Sequence, residues 1–224
     1  MTGSSPTPFV QRVSLHLRQL NLAPDDSALQ KLEQFSKLLL KWNQKVHLVS
    51  RPDSNPERVS RQIVNSLLSL SYFEIGKGAK ILDVGSGAGF PALPLKIVRP
   101  DLSFVLTEST RKKWLYLQKA ISELKLEDVL ALNERTENLP ESYREYFDLA
   151  TVKAVGSLAE VWEMIYPFLK LGGWLLAYKG QKLKPEMAKL EQLFKTTPGS
   201  VDSVREIDLN ELNLGGYLVR VTKT

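Results

Sequence analysis

The chain has 224 residues, of which 43% are hydrophobic and 25% charged, and its 30 Lys and Arg against 25 Asp and Glu give a formal net charge of +5. That profile excludes a disordered, collagen-like or coiled-coil chain. The absence of Cys excludes a disulfide framework, a thiol nucleophile and a thiolate zinc site, and two histidines, His16 and His47, leave no His-rich metal site to expect.

Residues 1–8 are small, polar and uncharged, and read as a disordered tail without a secretory pattern. No run reaches the roughly 18–20 apolar residues of a membrane span, so a cytoplasmic protein with no membrane partner is expected. A helical pattern runs from Phe9 through Leu17 and Leu20 and stops before Pro24. Ser27, with Gln30 three residues on, reads as the cap of a second helix. Leu29, Leu32, Phe35, Leu38, Trp42 and Val46 then form its buried stripe. Pro56 opens a third helix, striped by Val59, Ile63, Leu67 and Leu70.

At Lys80 the period changes. Lys80–Val84 reads as a buried strand, followed by strands at Ser103–Thr107, Val129–Leu132, Phe147–Val152 and Trp174–Tyr178. Helices are expected between them at Arg111–Leu124 and Leu158–Leu169, with another at Lys184–Phe194. Ser203–Leu209 and Tyr217–Val221 read as a closing antiparallel pair. Such alternation predicts a mostly parallel sheet with helices on both faces. The expected division is a helical region over residues 9–75 and an α/β domain over 76–224.

Asp83-Val84-Gly85-Ser86-Gly87-Ala88-Gly89-Phe90 joins the first strand to a helix, where open α/β sheets hold their ligands. Glycines there allow positive φ and close approach of backbone to ligand. A dinucleotide loop, G-x-G-x-x-G, needs Gly where Phe90 stands, which disfavours a nicotinamide oxidoreductase; a P-loop needs Gly-Lys-Ser/Thr, which is absent. A lone glycine trio is as readily a plain strand–turn–helix link. Glu108 shifts that balance: it closes the second strand, where an acidic side chain accepts bonds from ribose hydroxyls. The D-x-G-x-G-x-G run itself resembles motif I of class I S-adenosylmethionine (SAM)-dependent methyltransferases, in which the loop after the third strand, here Asn133–Glu137, passes along the adenine.

With these pieces aligned, residues 30–222 resemble the bacterial 16S rRNA guanine-N7 methyltransferase family, once called glucose-inhibited division protein B. The most specific stretch is Ile81–Pro100 (ILDVGSGAGFPALPLKIVRP). In it Pro91 is expected in the first helical turn and Pro94 as a bend. Glu108-Ser109-Thr110-Arg111-Lys112-Lys113, Arg135-Thr136-Glu137, Lys153-Ala154 and Lys179-Gly180 fit further family segments. Departures gather elsewhere. Where the family has Asn-Leu-Thr the chain has His47-Leu48-Val49. Where it has Arg-His-x-x-Asp-Ser the chain has Arg61-Gln62-Ile63-Val64-Asn65-Ser66. Where it has Ser-Arg-Ala the chain has Val152-Lys153-Ala154.

The resemblance implies a class I SAM-methyltransferase fold, with a seven-stranded sheet and a helical N-terminal extension. It implies SAM as cofactor, held by Asp83, Gly85, Ser86, Gly87, Gly89, Phe90, Glu108, Ser109, Thr110, Thr136 and Glu137. Lys153 falls near the transfer site and would position the SAM carboxylate or an RNA phosphate. Arg61, Arg111, Lys112, Lys113, Lys179 and Lys182 would contact RNA. The implied partner is 16S rRNA or the small ribosomal subunit, met by a monomer. The departures leave a second reading open: a SAM-binding, ribosome-associated protein whose transfer specificity is lost or altered.

Overall fold

The computed structural model describes residues 5–181, 183–209 and 214–224. Three helices come first: α1 (Pro8–Gln19), α2 (Asp26–Val46) and α3 (Pro56–Leu67), followed by a single turn, α4 (Ser69–Tyr72). Each of the three long ones is opened by a side-chain oxygen on an otherwise unpaired backbone N–H. Thr7 caps α1, inside the segment read as a tail, and Asn55 caps α3. The cap of α2 is Asp25, not Ser27: its carboxylate accepts from Ala28 N at 2.7 Å. A negative charge there also suits the helix dipole, so the helix starts earlier than the Ser27–Gln30 pair suggests.

The sheet contains β1 (Lys80–Val84), β2 (Ser103–Thr107), β3 (Val129–Leu132), β4 (Phe147–Lys153), β5 (Leu169–Lys179), β6 (Gly199–Leu209) and β7 (Leu214–Lys223). Their order is β3-β2-β1-β4-β5-β7-β6, and β1 to β5 are mutually parallel. The closing pair is antiparallel as expected, with β7 inserted between β5 and β6. Helices α5 (Ala92–Val98), α6 (Arg111–Glu123), α7 (Leu158–Ile165) and α8 (Lys184–Leu193) complete the chain.

Strand residues feed two cores alternately. Ile81, Phe104, Leu106, Leu149, Trp174, Leu176 and Tyr178 join the core with α1–α3 and α6. Leu82, Val105, Ala150, Val152, Leu175, Ala177 and Val219 join the core with α7 and α8. The N-terminal helices therefore share a core with one face of the sheet. All four Trp side chains are packed; Trp114 Nε1 donates to Ala131 O, and Trp162 Nε1 to Thr197 O, both at 3.0 Å.

Two boundaries differ from expectation. α7 ends at Ile165 rather than Leu169: Tyr166 keeps α-region backbone as the cap, but Pro167 after it has no N–H to continue the i→i−4 ladder. Leu169 begins β5 instead, pairing with Phe147 across a register shift. Pro94 falls within the first turn of α5. It is the third helical residue, where no backbone N–H has an intrahelical partner, and Pro91 sits at the cap position before the first turn.

Candidate active site

The strand order reverses between β1 and β4, so the crevice beyond the carboxyl ends of these two strands is where such a sheet binds ligand. Everything singled out around motif I meets there. Gly85, Gly87 and Gly89 all have positive φ, at 62°, 51° and 87°. A Cβ on Gly85 would lie 2.7 Å from Val155 Cγ2, and one on Gly89 2.6 Å from Leu93 Cδ1. These two glycines are required by packing. A Cβ on Gly87 would meet only Gly85 O at 3.7 Å and Glu108 Oε2 at 3.9 Å, so its space opens toward the acidic side chain. From below, Tyr116 Oη donates to Ala88 O at 3.2 Å and holds the loop against α6.

Glu108 is buried and fastens two loops. Oε2 accepts from Gly87 N at 3.0 Å, and Oε1 from Thr110 N at 2.7 Å. Each carboxylate oxygen has a further lone pair, so the group retains capacity for two hydroxyls. Asn133 Nδ2 reaches Glu108 O at 2.9 Å and Ser109 O at 3.1 Å, tying the β3 loop to the end of β2. Ser109, Thr110 and Glu137 are exposed at the rim. Thr136 is buried; its hydroxyl meets that of Thr107 at 2.7 Å, and Thr107 donates in turn to Asp83 O. Ser86 is buried too, bonded to the same Asp83 carbonyl.

Asp83 is fully enclosed. Oδ1 accepts from Thr151 Oγ1 at 2.6 Å, while Oδ2 has no partner. Burial pushes this carboxyl up to about 7, against the pull of hydroxyls from Ser86 and Thr151. An orphaned, buried acceptor is costly for a fold alone. An acid below a glycine cradle, with a second acid at the neighbouring strand end, suits a nucleoside carrying a cationic tail.

The other side of the crevice is built by β4, β5 and α3. Lys153 ends β4 and donates to Gln62 Oε1 on α3 at 2.6 Å. Its Nζ lies 5.3 Å from the centroid of the Phe90 ring and 5.8 Å from that of Tyr178. Burial moves this amine down to about 7, with Asp53 opposing. Ala154, immediately after, has φ 59°, a left-handed conformation that a residue with a Cβ adopts at a cost. Tyr178 Oη donates to Ser66 O at 2.6 Å and lies 3.0 Å from Ser69 Oγ, which fastens α3 to β5. Asn65 stands one turn after Gln62. Two of the three departures noted in the sequence, at 61–66 and at 152–154, are therefore in direct contact.

The expected RNA contacts separate into two kinds. Arg111 and Lys112 are exposed at the start of α6 and Lys113 is half-buried. Arg61 pairs with Glu57 at 2.6 Å within α3. Lys179 is only 9% exposed, paired with Glu186 at 2.7 Å and donating to Gly156 O at 2.8 Å, so it braces β5 against α8. Lys182 lies outside the described residues. Among the described residues no cluster of His, Asp and Glu fits a metal ion, and no helix is long and apolar enough to cross a membrane. A hollow of about 900 Å³, lined by Leu22, Phe73, Ile75 and Arg99, opens at the opposite end of β1 from the glycine loop.

Tyr178 and the seryl groups of α3 and α4 were not singled out from sequence. Tyr178 sits 112 residues from Ser66, and a hydroxyl at the end of an apolar strand was its only signal.

Residues 28–214 match the family model described as GidB, rRNA small subunit methyltransferase G. The ribosomal RNA small subunit methyltransferase G of Thermoanaerobacter sp. (strain X514) is 34% identical over 197 residues, 86% of this chain and 82% of that one. The protein of that name from Clostridium novyi is 29% identical over 96% of this chain and 89% of its own. Among solved structures, a SAM-dependent methyltransferase from Aquifex aeolicus superposes with TM-score 0.58, at 17% identity, over 76% of this chain and 94% of its own. M. jannaschii TYW2 in complex with AdoMet does so with TM-score 0.56, at 16% identity, over 72% and 74%. These likenesses give the fold: a class I SAM methyltransferase.

Proposed function

The chain belongs to the rRNA small subunit methyltransferase G family, and from that premise we propose how its residues carry out transfer of a methyl group to N7 of a guanine in 16S rRNA. The observation that carries the reading is the family match, which spans the glycine loop, the β2 end and the β4 end together. The cofactor is SAM, which supplies when bound a methyl group on a cationic sulfur. The residues present fit it. Gly85–Gly89 give a cradle closely approached by backbone, Glu108 has lone pairs for ribose hydroxyls, and the unpartnered Asp83 Oδ2 is an acceptor for the cationic methionine end. Ser109, Thr110, Thr136 and Glu137 line the β2 and β3 loops on the adenine side, Thr136 through its backbone because its hydroxyl is engaged with Thr107.

Guanine N7 presents a lone pair and carries no proton, so no general base is needed. The chain must exclude water and hold the acceptor nitrogen in line with the methyl group, and such positioning accounts for most of the rate. This agrees with a chain that has no Cys and two His. Arg111 and Lys112, exposed beside the β2 end, are the residues we assign to RNA phosphates, with Lys113 behind them.

The test is tritiated-methyl transfer from SAM to unmodified small subunits and to naked 16S rRNA, with the modified base mapped. Label at a guanine N7 is expected. Tight SAM binding with no transfer to either would favour a SAM-binding, ribosome-associated protein instead.

A further inference from the structure

We propose that Lys153 reads O6 of the target guanine, and that Gln62 is the positioning residue that aims it. This rests on the methyl-transfer reading above and names the group that selects the base. The order β2-β1-β4-β5 places Glu108 on one flank of the glycine loop and Lys153 on the other. With the nucleoside side of the cofactor at Glu108, the acceptor base enters from the β4–β5 flank, beneath α3. There Lys153 is directed over Phe90, the last residue of that loop.

An ammonium has three donors. Among the described residues Nζ makes one hydrogen bond, to Gln62 Oε1, leaving donors for a ligand. The edge of guanine that carries N7 also carries O6, a second acceptor; adenine presents an N6 donor at that place. A donor fixed beside the reacting nitrogen therefore accepts guanine and repels adenine. A phosphate is the poorer match, because Nζ is tucked between two aromatic rings under a helix rather than at the open rim. The purine becomes cationic on methylation, and burial brings the amine down to about 7, so it donates to O6 with only part of a full opposing charge. Gln62 makes the aim specific: an acceptor on a separate element prevents the flexible lysine from swinging to N7 itself.

The experiment uses the full chain and rRNA carrying guanine, inosine or 2-aminopurine at the mapped position, followed by single-turnover transfer. All three bases keep N7, and only 2-aminopurine lacks O6. Wild-type protein should modify inosine at nearly the guanine rate and 2-aminopurine about 10- to 100-fold more slowly. In Lys153→Met the guanine rate should fall by a similar factor, the guanine-to-2-aminopurine ratio should collapse toward one, and SAM affinity by calorimetry should not change. Lys153→Leu, which also lacks a donor, serves as a second variant if Met perturbs folding. Gln62→Leu should lower the ratio and Gln62→Glu, which restores an acceptor oxygen, should recover it.

A parallel fall in SAM affinity would assign Lys153 to the cofactor and overturn the proposal. So would a ratio that persists in Lys153→Met, since another group would then be reading O6. No transfer by wild-type protein to any guanine would instead defeat the methyl-transfer reading, before the variants are compared.

Discussion

The two flanks of the crevice are built in different ways. The β1–β2 flank is made of backbone: positive-φ glycines, amides turned onto Glu108, and a carbonyl relay through Ser86, Thr107 and Thr136. Its parts are separated by at most a few tens of residues. The β4–β5 flank is made of side chains from distant segments. Lys153 meets Gln62 across 91 residues, and Tyr178 meets Ser66 across 112. A backbone cradle tolerates little change, because any Cβ alters it. A side-chain flank depends on contacts between distant segments, as that between Gln62 and Lys153 does. The first suits the cofactor; the second suits the acceptor base.

Buried charge offers the largest handle on that contrast, because the two flanks enclose groups of opposite sign. Asp83 has a folded pKa raised to about 7 from 3.8, so the native state binds the extra proton between these values. Its contribution to stability is present in acid and is lost as pH rises from 4 through 7, by about 4 kcal/mol. Lys153 has a folded pKa lowered to about 7 from 10.5, so the unfolded state binds the extra proton above 7. Its contribution grows as pH rises from 7 toward 10.5. Thermal denaturation across pH should show both. Relative to wild type, Asp83→Asn should gain stability increasingly from pH 4 to 7, and Lys153→Met should lose the alkaline rise. Difference profiles that are flat for both variants would mean neither group is enclosed as described.

A single residue tests the backbone cradle next. Gly87→Asp keeps a left-handed φ that Asp tolerates, and its Cβ meets nothing closer than 3.7 Å, so the protein should fold. The new carboxylate would stand beside Glu108 Oε2 in the space left for ligand. SAM affinity, measured by calorimetry, should fall at least about 100-fold, the order of an unpaired charge at a hydrogen-bonded site. Unchanged affinity in a folded variant would place the cofactor elsewhere.

What could be read from the sequence follows the same division. Asp83, the three glycines and Glu108 form a local pattern on a predicted strand–loop–helix, and the structure brings them together at the strand-order reversal. β1, β2 and β4 were legible because both their faces are buried and each is closed by polar residues; β3, at the sheet edge with Leu130 exposed, was legible as a short apolar run. Element ends decided by competing caps were not, as Asp25 displacing Ser27 and Pro167 shortening α7 show. Lys179 reads as a surface cation until Glu186, on the following helix, is seen to pair with it. No periodicity reports that Gln62, Lys153 and Tyr178 share one corner, because only the folded sheet makes them neighbours.

The smallest change separates the flanks most cleanly. Tyr178→Phe deletes one buried hydroxyl and keeps the ring against which Lys153 rests. Ser66 O loses its donor at 2.6 Å but keeps Ser69 Oγ at 3.3 Å, so the acceptor is not left wholly unpaired. The cost should be near the ordinary net value of a hydrogen bond, about 1 kcal/mol, which for a chain of this size lowers Tm by roughly 2–4 °C. SAM affinity should not move, because the hydroxyl's hydrogen bonds run to Ser66 and Ser69 and not to the glycine loop or Glu108. Transfer to rRNA should slow modestly, since the bond anchors the helix that carries Gln62. If SAM affinity fell together with transfer, the two flanks would be one cooperative unit, and the division between a backbone cradle and a side-chain acceptor corner would fail.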